Sequence, residues 1–112
     1  MNTADFYIQQ KDIWYIMMGN NIGYEEDGKN DFRRPVIVLK KVGILYFTVA
    51  LTTQGKLNSP FYFKLLSQSP KSSFAILSQA RVYDKKRFLH KIGTINEKEF
   101  SLLTKSLIRT HF

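Results

Sequence analysis

At 112 residues the chain is long enough to close one hydrophobic core and too short for a second beside it. Hydrophobic residues make up 44% and charged residues 23%, as in ordinary folded domains, and the lack of cysteine excludes disulfides, thiolate metal sites and cysteine nucleophiles. The net charge of +8 is polarised: residues 1–32 carry two lysines against six acids, and the rest carries 15 Lys and Arg against Asp84, Glu97 and Glu99, a balance that suits a polyanionic partner.

Residues 1–10 read as an N-terminal extension without the basic-then-apolar pattern of a secretory signal, and no apolar run approaches the roughly 18 to 20 residues that span a bilayer. The expectation is a cytoplasmic protein with no membrane association. "DIWYIMM" (12–18) mixes aromatic and β-branched residues in a short run and predicts a strand. Residues 19–32, polar and punctuated by Gly19, Gly23 and Gly28, predict a long mobile loop of the kind that carries function. "RPVIVLKK" (34–41) predicts a second strand with Pro35 at its first residue, where a missing N–H costs least. Val42 and Gly43 connect it to "ILYFTVALTT" (44–53), whose near-continuous hydrophobicity predicts a central strand.

Beyond the turn residues 54–60, "FYFKLL" (61–66) predicts a fourth strand. "FAILSQARVYD" (74–84) predicts a fifth that turns polar at Ser78, and "HKIGTI" (90–95) a short sixth. The period then changes. Asn96 as N-cap, Glu99 three residues on, and Phe100, Leu103 and Leu107 at spacings of 3 and 4 predict a helix over 96–110 packing one stripe on the sheet. The whole chain, 1–112, is expected to form a single α+β domain, mainly β: a small, strongly curved antiparallel sheet or barrel with a C-terminal helix.

The segment "GYEEDGKNDFRRPVIVLKK" (23–41) crowds acidic side chains ahead of two arginines, and mutual charge neutralisation is one reading of it. In an antiparallel sheet, however, the end of the third strand lies beside the start of the second, which brings Thr52 toward Arg34. A guanidinium beside a hydroxyl suits phosphate, because Arg offers a planar fork of donors and Thr adds one more. The surface expected to contact nucleic acid comprises Tyr24 and Lys29 in the loop, Arg33, then Thr53 and Gln54, and finally Ser78, Gln79 and Arg81. Tyr24 stands in polar surroundings and is suited to base stacking. His90 and His111 lack the spacing and company of a metal site, so neither a metal nor a cofactor is expected.

Residues 12–41, then "VALTT" (49–53), then "AILSQARVYDKKRFLHKIGTI" (75–95) resemble, in order and spacing, the MazF/PemK (Kid) toxins of type II toxin–antitoxin systems. The shared pattern is an acidic-Ile-aromatic first strand, a glycine loop containing G-x-E, Arg-Pro opening the second strand and Ser/Thr ending the third. The resemblance runs from about residue 11 to 95, and the terminal helix fits. It implies an SH3-like barrel, a two-fold homodimer, and a metal-independent, sequence-specific endoribonuclease acting on single-stranded RNA. It also implies neutralisation by an acidic antitoxin. The matching site residues are Arg34, Thr52 and Glu25. Glu25 has two roles open to it, accepting the 2′-OH proton or holding Arg34. Some relatives carry a carboxylate where this chain has Ser78, which leaves the general base unassigned. Two further readings are a non-catalytic RNA-binding barrel and a CcdB-like gyrase poison. The latter is marked by a terminal Trp-Gly-Ile-like tail where this chain has "IRTHF".

Overall fold

Strands form where β-branched and aromatic residues alternate between two faces that both become buried. The computed structural model describes residues 7–18, 33–56, 58–66 and 73–112. The chain runs β1 (Asp12–Met17), β2 (Arg33–Val42), β3 (Leu45–Thr52), β4 (Tyr62–Lys64), β5 (Phe74–Asp84), a 3-10 turn (Lys85–Arg87), β6 (Phe88–Thr94) and α1 (Glu97–His111). Among the described residues all strand pairings are antiparallel, in the order β4-β5-β3-β2-β1-β6. β3 is internal, as its hydrophobicity requires.

Several boundaries differ from expectation. β2 begins at Arg33, because Met17 and Ile16 of β1 pair with Arg33 and Arg34, so Pro35 is its third residue and not its first. The two-residue turn between β2 and β3 is Gly43–Ile44, with Val42 opposite Leu45; Gly43 has φ +65°, the left-handed region that a side chain disfavours. β4 shrinks to three residues and β6 starts two residues earlier, at Phe88. The predicted mobile loop 19–32 lies outside the described residues.

The sheet is strongly curled but its ladder does not close, since β4 and β6 remain its edges. In a flat sheet β6 would stand four strand spacings from β5, about 19 Å. Yet only Lys85–Arg87 separate Asp84 from Phe88, a link that spans at most about 14 Å. The curl shows again in the rings of Tyr46, on β3, and Phe88, on β6, whose centroids lie 5.7 Å or less from their neighbours: 5.4 Å from each other and, for Phe88, 5.7 Å from Trp14. Side chains three strands apart meet only across a concave face.

Each face has its own core. Trp14, Ile16, Val36, Val38, Tyr46 and Phe88 fill the concave side. Ile13, Ile37, Leu39, Val49, Leu51, Ala75 and Leu77 face the other way, against Phe100, Leu103 and Leu107 of α1. Asn96 caps the helix, its side-chain oxygen accepting from Glu99 N at 2.8 Å. The Glu99 carboxylate also accepts from Leu66 N, tying the helix start to the segment after β4.

The buried Asp12 carboxylate joins the opening of β1 to β6. It accepts from Gln9 N (2.9 Å), Trp14 Nε1 (3.2 Å) and Thr94 Oγ1 (3.4 Å), and Lys91 Nζ stands 3.3 Å away. A buried carboxylate needs such company, because desolvation is costly unless its lone pairs are satisfied.

Candidate nucleic-acid groove

Val36 pairs with Ala50, and Val38 with Thr48. Alternation puts Arg34, Val36 and Val38 on one face of β2, and Val36 and Val38 belong to the concave core. The β2–β3 register begins at Val36–Ala50, so Arg34 and Thr52 each lie two residues beyond the first pair, on the same face by alternation. Across β3, Thr48 pairs with Arg81 and Tyr46 with Tyr83, so Arg81 and Tyr83 share the concave side too.

The side chains of this face enclose a recess of about 150 Å³ lined by Met18, Arg34, Val36, Thr48, Ala50, Gln79, Arg81 and Tyr83. Arg34 is half-buried, whereas Gln79 and Arg81 are exposed. No carboxylate or imidazole stands among its described lining residues. Two guanidinium groups on one small recess with no carboxylate among its described lining residues attract an anion, and their planar forks suit phosphate oxygens.

A break in the β3–β5 ladder sets this arrangement. Val49 pairs with Ala80, and Leu51 with Ala75, so Ala50 alone stands against Ile76, Leu77, Ser78 and Gln79. The irregularity divides β5 into a buried half, Phe74–Leu77, that pairs with β4 on one side and the end of β3 on the other, and a more polar half, Ala80–Asp84, that pairs with β3. It brings Gln79 into the recess. Ser78 is exposed and is not among the lining residues.

Of the remaining candidates, Thr52 is half-buried at the end of β3 and outside the recess lining. Its Oγ1 accepts from Gln54 N at 3.1 Å, which shapes the turn that carries the exposed Thr53 and Gln54. Arg33 is on the opposite face of β2 from Arg34. Its guanidinium lies 5.0 Å from the centroid of Tyr15, whose ring meets His90 edge-on at 5.2 Å. Tyr24, Glu25 and Lys29 lie outside the described residues. Met18 and Tyr83 line the recess although the sequence reading passed over them. Tyr83 stands two residues beyond Arg81 and four beyond Gln79, a spacing of period 2 that was the available signal.

The PemK-like, MazF-like toxins of type II toxin–antitoxin systems match residues 9–111. The chain belongs to this family. No curated protein matches it in sequence. Among solved structures, MazF of Deinococcus radiodurans crystallised with MazE aligns over 95% of this chain and 96% of its own, with TM-score 0.72 at 17% identity. MazF from the same species aligns over 95% and 97%, with TM-score 0.70 at 16% identity. An endoribonuclease from mycobacterial species, in complex with its cognate antitoxin, aligns over 90% and 91%, with TM-score 0.67 at 11% identity. At such identities the likeness is one of fold: a mainly β domain with a C-terminal helix. Among the described residues of this PemK-like chain, no helix is long and apolar enough to cross a membrane.

Proposed function

We propose that this toxin is an endoribonuclease that cuts single-stranded RNA without a metal ion, with the recess around Arg34 as its active site. The observation that carries the reading is the convergence of Arg34 and Arg81 on one recess with no carboxylate among its described lining residues. RNA brings its own nucleophile, the 2′-hydroxyl. The enzyme supplies a proton acceptor, a proton donor, and positive charge for the crowded phosphorane.

The 2′ oxygen attacks phosphorus as its proton leaves, the bond from phosphorus to the 5′ oxygen breaks, and that oxygen takes up a proton. The products are a 2′,3′-cyclic phosphate and a 5′-hydroxyl. Arg34 clamps the phosphorane oxygens and donates toward the leaving oxygen, since a guanidinium is no ordinary base. Loss of one donor at a comparable oxyanion site costs about 2.7–4 kcal/mol, roughly 10² to 10³ in rate. Thr52 orients the phosphate: its oxygen accepts from Gln54 N, which leaves its own proton for the substrate. Glu25, whose position the family resemblance matches, has two roles open to it: taking the 2′-OH proton or holding Arg34. Arg33, Thr53, Gln54, Ser78, Gln79 and Arg81, with Tyr24 and Lys29, make up the wider RNA-contacting set.

An acidic antitoxin segment silences the enzyme, because the charge that attracts phosphate also attracts carboxylates. The Deinococcus and mycobacterial relatives are seen with antitoxins. The working unit is a homodimer in the cytoplasm. An apolar recess of about 570 Å³, lined in part by Leu39, Phe47, Leu107, Ile108 and Phe112, offers a surface for self-association.

The test is incubation of mixed-sequence single-stranded RNA with the protein and its Arg34→Ala variant, both in EDTA. Discrete cuts by the parent alone are expected. Intact RNA held by the protein would make it a binding module, and intact, unretained RNA would remove RNA from the account.

A further inference from the structure

We infer that the Tyr83 hydroxyl is a third phosphate ligand of the recess, a neutral donor beside the guanidinium groups of Arg34 and Arg81. The inference deepens the proposed function by assigning a phosphodiester-binding role to a residue outside the candidate set. Three observations lead to it. The Tyr83 ring is half-buried and packs against the concave core, which holds it in place beside the recess. Tyr83 is one of the residues lining the recess. That hydroxyl donates to Met18 Sδ at 3.8 Å, the only acceptor for it found among the described residues, and a thioether is a weak one.

The other hydroxyl of the lining is already engaged, Thr48 Oγ1 donating to the Arg81 carbonyl. A phosphate oxygen entering a recess of about 150 Å³ therefore meets one O–H whose present partner is easily exchanged for a charged acceptor. Hydrogen bonds to charged groups are about twice as strong as neutral ones.

The test measures binding of a mixed-sequence single-stranded RNA carrying 2′-O-methyl groups, whose blocked nucleophile prevents cutting, to the parent, Tyr83→Phe and Arg81→Gln across a salt series. Tyr83→Phe keeps the packed ring and is expected to bind about tenfold more weakly. Its slope of log affinity against log salt should equal the parent's, because no charge is lost. Arg81→Gln should weaken binding and also reduce the slope by about one. Parent-like affinity for Tyr83→Phe would overturn the inference, as would weakened binding that comes with an altered slope and a lowered melting temperature, the mark of a structural role. Should the parent fail to cut unmodified RNA while the tenfold loss is still seen, the nuclease reading falls and the phosphate ligand stands.

Discussion

The hydroxyl of Thr48 donates a 3.1 Å hydrogen bond to the carbonyl of Arg81, the residue directly opposite it in the β3–β5 ladder. A side chain thereby fixes the backbone that presents a recess cation, next to the irregularity at Ala50. Thr48→Val keeps the shape and removes the donor. It should lower unfolding free energy by about 1 kcal/mol in urea titrations, and RNA cleavage should fall several-fold as Arg81 loosens.

Arg81 and Arg33 are both exposed arginines, yet they serve opposite faces of the sheet. Arg81→Gln should raise KM for RNA about tenfold. Arg33→Gln should raise it less, because its guanidinium is committed to the Tyr15 ring. Steady-state cleavage of one oligonucleotide by the two variants compares them, and equal effects would count against the Arg34–Arg81 recess as the principal phosphate site.

Asp12 satisfies two backbone or indole N–H groups, one hydroxyl and one ammonium from three segments of the fold. Asp12→Ala removes at once the acceptor shared by Gln9 N, Trp14 Nε1 and Thr94 Oγ1 and should cost about 3 kcal/mol in chemical denaturation. Asp12→Asn, which keeps an acceptor oxygen, should cost less.

Gly55 lies over the ring of Phe74, and a Cβ there would come within 2.7 Å of Phe74 Cβ. Phe74 is also the β5 partner of Thr52. Gly55→Ala should destabilise the fold by about 1–3 kcal/mol through overpacking. Cleavage should fall further than the folded fraction does, because the turn beyond Thr52 is displaced. Activity that simply tracks the folded fraction would separate that turn from the site.

Much of this architecture was legible in the sequence, for local reasons. The aromatic and β-branched runs marked β1, β3 and β5, and the 3 and 4 spacing of Phe100, Leu103 and Leu107 marked the face of α1 that packs on the sheet. The β4 and β6 boundaries were blurred because pairing partners, not composition, decide where a ladder starts. Curvature was expected from many short strands followed by one helix, but the strand order and the short Asp84–Phe88 link that enforce it are written in no local pattern. Hidden too was the break at Ala50, where four residues of β5 face one of β3. It separates Gln79, in the recess, from Ser78 outside it, although the two are neighbours in the chain. Arg33 and Arg34 likewise diverge by the alternation of a strand that begins at Arg33, one residue before the expected span 34–41.

The most direct test of the central claim is cleavage of an RNA oligonucleotide beside the same oligonucleotide with a single 2′-deoxy nucleotide at the cut site. If the Arg34 recess promotes attack by the substrate's own hydroxyl, the unmodified strand yields a 2′,3′-cyclic phosphate and a 5′-hydroxyl, and the deoxy strand stays whole at that position. Cutting of the deoxy strand there, or a 5′-phosphate on the downstream product, would contradict the account.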